Sequence, residues 1–202
     1  MAQFIATFIF FFAVIDPIGT VPVFLAVTSE YSEKDKRKIA VRATLVSAGI
    51  LIFFVVAGEP ILRAMDIPLT AFEIAGGIVL FLFALSMIFG ESKPESEIKM
   101  VPEADETAVF PLAVPSIAGP GAMLAAVLQT ENGRFTLVQQ LQTTIAMLSV
   151  LMVAMLLMLM SARVHRWIGD GGASIISRVM GMILAAVAVS SVLDGVRGYF
   201  GI

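Results

Sequence analysis

At 202 residues, 58% hydrophobic and only 14% charged, the chain has a mean hydropathy of +0.95. Soluble domains carry about 25% charged residues, so an ordinary soluble domain is excluded and a bilayer is the expected solvent. The formal net charge of −3 says little, because most charges sit in loops; no nucleic-acid partner is expected, and the absence of cysteine rules out disulfides and thiolate metal sites.

Crossing a bilayer takes roughly 20 mostly apolar residues. Six stretches reach that length, at 3–28, 39–62, 67–90, 107–130, 136–161 and 172–195. The expected fold is an all-α membrane protein of six transmembrane helices. The first stretch lacks a basic leader and is interrupted by Asp16, so it reads as a retained span rather than a cleaved signal peptide. Near its middle stands Asp16-Pro17-Ile18-Gly19. Proline removes a backbone donor and clashes with the preceding turn, while glycine accepts non-helical dihedrals. Span one should therefore be discontinuous. Loop 1, at 30–38, mixes both signs of charge and is expected to cap helix ends at the headgroups.

Span three carries Glu73 near its start, followed by Gly76 and Gly77. Residues 91–106 hold six acids against two lysines, with Pro94 and Pro102, and read as a solvated linker. Span four contains a second break, Pro115-Ser116-Ile117-Ala118-Gly119-Pro120-Gly121. Span five is uncharged from 135 to 162; Gln139, Gln142 and Thr143 at its start would wet an outer vestibule. Its Met147, Met152, Met155 and Met158 read as apolar filler rather than soft-metal ligands. His165, among Arg163, Arg166 and Trp167, is expected as an interfacial anchor, and span six carries Arg178 and Gly181.

Basic residues divide unevenly between the two ends of the spans. Lys34, Lys36, Arg37, Lys38, Arg42, Lys93, Lys99, Arg163 and Arg166 fall at loops 1, 3 and 5; only Arg63, Arg134 and Arg197 fall opposite. The positive-inside rule then puts loops 1, 3 and 5 in the cytoplasm and both termini outside.

The two halves share features. Glu73 aligns with Arg178 and Gly76 with Gly181; the breaks in spans one and four align in two alternative registers. Three spans per half is odd, so the second copy must insert upside down. The expected organisation is a three-helix repeat at 1–90, an acidic cytoplasmic linker at 91–106 and an inverted repeat at 107–202, a layout common among secondary transporters.

Backbone groups freed at bilayer depth are tolerated only where protein or a water-filled cavity satisfies them. Paired Gly/Pro interruptions in two halves therefore point to a substrate site. A helix that starts inside the membrane directs unpaired N–H groups and a positive dipole end at whatever lies beyond it. Two such ends, near Ile18, Gly19 and Thr20 and near Gly119 and Gly121, would form an anion-accepting midplane site flanked by the Ser116 and Thr20 hydroxyls. Pro17, Pro115 and Pro120 make the breaks. Tight packing is the rival account of the glycines.

A carboxylate near the bilayer centre costs roughly 2.5–3.5 kcal/mol on insertion scales unless it faces a cavity or partner. Asp16 could bind a cation, exchange a proton, or cap the half-helix after Pro17; these roles are compatible. Glu73 and Arg178 are assigned structural or gating roles. Small residues follow each of them at helical spacing, so spans three and six should pack closely. No zinc, phosphate-loop or nucleophile–histidine signature occurs, and Asp16, Glu73 and Arg178 are too few and too separated to suggest a reaction. Neither an enzyme nor a cofactor is expected.

In these residues the chain resembles the MarC family of integral membrane proteins, within a wider LysE-like group. The resemblance runs over the whole length, through Ile15-Asp16-Pro17-Ile18-Gly19, Ile74-Ala75-Gly76-Gly77, Val114-Pro115-Ser116-Ile117-Ala118-Gly119-Pro120-Gly121 and Ile176-Ser177-Arg178-Val179-Met180-Gly181. It implies six spans, an inner-membrane location and transport of small neutral amino acids such as glycine or alanine. The family pattern often carries Asn where this chain has Asp16, and Arg where it has Glu73. The leading expectation is a secondary transporter whose partners are a small amino acid, a coupling proton or sodium ion, and the lipid bilayer. The alternatives are a non-selective channel, or a structural or assembly protein without transport.

Overall fold

The computed structural model describes residues 2–89 and 107–201, so the expected linker at 91–106 lies outside the described residues. Every regular element among those residues is helical. In chain order they are α1 (Ala2–Ile15), α2 (Pro17–Val27), α3 (Glu33–Ala64), α4 (Leu69–Phe89), a π-helical segment (Ala108–Ile117), α5 (Pro120–Leu128), α6 (Leu137–Leu159) and α7 (Ser161–Phe200). Five stretches are long and apolar enough to cross a bilayer: Gln3–Val27, Glu33–Ala64, Leu69–Phe89, Leu137–Leu159 and Gly171–Phe200. The π-helical segment and α5 form a bent apolar pair, at 54° across 118–119, which makes a sixth candidate span when the two are counted as one.

Local chemistry sets most of the ends. The Ser32 hydroxyl accepts from the Asp35 N–H at the start of α3, where Glu33 and Asp35 suit the positive end of the helix. Thr136 and Gln139 form a reciprocal capping box on α6. Gln139 thereby serves as a cap at the exposed start of the helix. α7 is kinked at Gly169, which takes φ +64°, and stops at Gly201 in the left-handed region.

Span one is the innermost. Some 67% of its most apolar window is buried, against 22–39% in the four other unbent spans. Phe11, Val14, Ile15, Val23 and Phe24 form the centre of the core, with Leu80, Leu112, Ile117, Met147, Leu151 and Leu184 packed round them. Side chains such as Leu45, Val56, Leu141, Ile175 and Leu193 are 62–69% exposed, as a lipid-facing surface requires.

α4 and α7 lie antiparallel in close contact. A Cβ on Gly77 would come 2.9 Å from the Ala188 carbonyl, one on Gly181 would come 3.1 Å from the Ala84 carbonyl, and one on Gly195 would come 3.0 Å from the Thr70 carbonyl. The buried face of α7 is Ser177, Gly181, Leu184 and Ala188. The expected contact between spans three and six is present, with one correction. The inward face runs through Ser177, and Arg178, one position round the helix, is exposed.

The spans sort into two ends. At one, Tyr31 and Thr107 hydroxyls meet at 3.3 Å, and the start of α3 shares a cavity with the α6–α7 junction. At the other, Glu59 meets Asn132, Glu73 meets Arg134, and Thr70 lies against Gly198. Loops 1 and 5 thus share one end with the start of span four, while loops 2 and 4 share the other with the C-terminal turn.

Candidate functional site

The break in span one is built on Asp16. Its backbone is left-handed (φ 49°, ψ 65°), a conformation that costs a non-glycine residue energy and holds where surroundings over-determine it. Pro17 occupies the first position of α2, where its missing N–H is no loss. Asp16 is completely buried, and its carboxylate accepts the Gly19 N–H at 3.1 Å on Oδ1 and the Ser177 hydroxyl at 2.6 Å on Oδ2. The capping geometry anticipated for Asp16 is therefore present. A second contact, to span six, accompanies it.

Two further hydroxyls extend this cluster, and a third, on α3, reaches the second break from its other side. Thr20 donates to the Asp16 carbonyl at 3.1 Å, and Ser116 donates to Thr20 Oγ1 at 3.3 Å. Ser47 on α3 reaches the Ala113 carbonyl at 3.4 Å as well as its own helix at Ala43. All three are buried. Spans one, four and six thus each contribute a polar group, span two holds the second break through Ser47, and the Thr20–Ser116 bond joins the two breaks directly. The Ser116 and Thr20 hydroxyls anticipated from the sequence lie side by side.

The break in span four is a different structure. Phe110 and Val114 are extended, the segment to Ile117 is wound wide, and the Ala118 N–H bonds back to the Ala113 carbonyl at 2.8 Å. Pro115 lies inside that segment. Gly119, in extended conformation, precedes α5 without any side-chain cap, and Pro120 is its first residue. The α2 start is thus filled by its own aspartate, while the α5 start is not.

The glycines and Ile18 separate by what surrounds them. A Cβ on Gly19 would collide with the Asp16 carboxylate and stand 2.7 Å from Ser177 Oγ. Gly121 instead packs on apolar side chains, with Leu80 at 3.1 Å and Val14 at 3.4 Å from such a Cβ. At Gly119 the neighbour would be the Pro115 carbonyl, at 2.7 Å. Ile18 faces the other way, into a small crevice with Val164, His165 and Ile168. Gly19 therefore belongs with the polar cluster, and Gly121 is a packing contact between spans one, three and four.

Glu73 and Arg178 do not meet. Because α4 and α7 are antiparallel, the starts of these helices lie at opposite ends, and Glu73 pairs with Arg134 at 3.0 Å. Glu73 lines a cavity of about 520 Å³ with Glu131, Arg134, Asp194 and Arg197. Within it, burial first and then the Glu73 charge push the Glu131 carboxyl above its ordinary value.

Two functional candidates escape a reading of the sequence. Ser177, inside the Ile176-Ser177-Arg178 stretch, gave no signal of its own, since a serine in a span is commonplace. Glu59 did carry one: it is a carboxylate within the second apolar stretch. It is 4% exposed, accepts the Asn132 backbone N–H at 2.7 Å and side-chain Nδ2 at 2.8 Å, and forms an ion pair with Arg63. It ties the turn after α5 to the end of α3.

A family model described as "MarC family integral membrane protein" matches residues 1–200. Among similar curated proteins, a UPF0056 membrane protein of Methanocaldococcus jannaschii is 36% identical, covering 98% of each chain. The UPF0056 membrane protein YvbG of Bacillus subtilis is 34% identical, over 96% of this chain and 93% of its own. The UPF0056 inner membrane protein YhgN of Escherichia coli is 32% identical over 98% of each. No solved structure matches the chain.

Proposed function

The chain belongs to the MarC family of integral membrane proteins and is multi-pass, and we propose that it is a secondary transporter of small neutral amino acids such as glycine or alanine. The observation that carries this reading is the fully buried Asp16 carboxylate at a break in the innermost span, hydrogen-bonded to span six, on a residue whose backbone carbonyl is joined through Thr20 to Ser116 at the second break. A buried carboxylate is costly at bilayer depth and marks a substrate or ion path more often than a packing position.

In this reading the substrate carboxylate docks at the uncapped start of α5, where the N–H groups of Gly121 and Ala122 and the helix dipole favour an anion. The ammonium group exchanges for the Ser177 or Gly19 donor at Asp16. Asp16 and the hydroxyls around it are buried in this conformation, as an occluded state of alternating access would require. A permanently open pore would leave Asp16 wetted, so a non-selective channel is the weaker reading. The two halves, 1–90 and 107–202, act as inverted repeats, with span six running against span three. Both termini face away from the cytoplasm, in the cell membrane, and a proton or sodium ion drives the cycle.

Purified protein in liposomes tests this directly. Labelled glycine or alanine should accumulate against its gradient when a proton or sodium gradient is imposed. Uptake that only equilibrates would replace the transporter with a channel, and uptake no faster than through protein-free liposomes would remove transport of these substrates altogether.

A further inference from the structure

A cavity of about 460 Å³ lies where the start of α3 meets the α6–α7 junction, far along the spans from the Asp16 cluster. Four cations line it, Lys36, Arg37, Arg163 and Arg166, against one acid, Glu33, which is paired with Lys36 at 2.9 Å. Leu25, Leu159 and Met160 supply an apolar wall. We propose that this cavity is a binding site for the phosphodiester headgroup of an anionic membrane phospholipid.

Three features of the place argue for a lipid. The cavity is formed by the ends of spans one and five and the first two turns of α3 and α7, so it sits at headgroup depth. Polar and apolar linings stand side by side, as a phosphate carrying acyl chains requires. Trp167, next to Arg166, is 86% exposed, the placement of an interfacial aromatic anchor. Basic pockets between transmembrane helices are the usual form of phospholipid headgroup sites. Arginine suits phosphate through its planar pair of donors, and three of the four cations are arginine. The proposal concerns lipid alone and does not depend on the transport reading.

The test uses the whole protein in phosphatidylcholine nanodiscs doped with phosphatidylglycerol, with retained lipid counted by native mass spectrometry. The wild type should retain phosphatidylglycerol in preference to phosphatidylcholine. Arg37→Gln/Arg163→Gln/Arg166→Gln should lower that preference about tenfold or more, since each cation near an anionic headgroup contributes on the order of 1 kcal/mol. A control with equal charge loss outside the cavity, Lys34→Gln/Lys38→Gln/Arg197→Gln, removes surface attraction but no lining residue and should lower the preference clearly less than the cavity variant. Arg166→Gln alone gives an intermediate loss and guards against misfolding of the triple variant. An unchanged preference in the cavity variants, or an equal fall in the control, overturns the proposal. Inorganic phosphate displacing the lipid at matched concentration would also overturn it, making the cavity a free-anion site.

Discussion

At the scale of single residues, the hydrogen bonds of Asp16 set the clearest expectations. Removing the Ser177 hydroxyl leaves one oxygen of a buried carboxylate without its donor. Ser177→Ala should therefore lower stability by about 1.5–3 kcal/mol, the range for hydrogen bonds to charged groups, readable as a fall in unfolding temperature in detergent. Asp16→Asn keeps an oxygen for the Gly19 N–H, and the Ser177 hydroxyl can turn to accept from the new amide. This variant should fold normally and, if Asp16 serves as cap and substrate contact, transport nearly as well as wild type at every pH. Binding without accumulation in a gradient-driven assay would instead assign the coupling ion to this carboxylate. Glu131 gives a pH signature at the other end. Its raised value means the folded state holds the proton more tightly, so its contribution is fully present below about 4.5 and is lost as pH rises through the raised value. Glu131→Gln should flatten that loss, leaving the variant relatively more stable than wild type at neutral pH in unfolding scans taken across the window.

Between elements, glycines decide how closely helices approach. Gly77 stands against a backbone carbonyl of α7, which cannot move aside as a side-chain tip can. Gly77→Ala should force α4 and α7 apart, at about 1–3 kcal/mol, the usual range for overpacking. Gly121→Ala meets Leu80 and Val14 side chains, which can yield, and should cost less than Gly77→Ala. Gly19→Ala is a different case, because its new methyl displaces Asp16 and Ser177. Its effect should appear in transport out of proportion to its effect on unfolding temperature. Equal losses in both measurements for Gly19→Ala would reduce it to a packing glycine like Gly121.

For the whole molecule, the sorting of loops into two ends makes topology testable. Cysteines at Ser29 and Tyr199, introduced into a chain that has none, should label with a membrane-impermeant thiol reagent from opposite faces. The charge distribution further places the Ser29 side in the cytoplasm. Labelling of both from the same face would break the six-span arrangement, while opposite labelling with the faces exchanged would overturn only the orientation.

The linear sequence marked the apolar stretches long enough to be spans and the breaks at Asp16-Pro17 and at 118–119. Those properties depend on local hydropathy and on the backbone chemistry of proline and glycine, which act within a turn or two of their own position. It also marked Asp16, Thr20 and Ser116 as polar groups at the breaks, and a close contact between spans three and six. Only the tertiary structure decided which groups meet. Antiparallel packing carried Glu73 to Arg134 and away from Arg178. A rotation of one residue on α7 put Ser177 inside and Arg178 outside, a difference that the small residues around both positions could not reveal. The Glu59 tie to Asn132 spans 73 residues, and the Ser177 bond to Asp16 spans 161. Such partnerships follow from the order and direction in which helices assemble, which hydropathy alone leaves free.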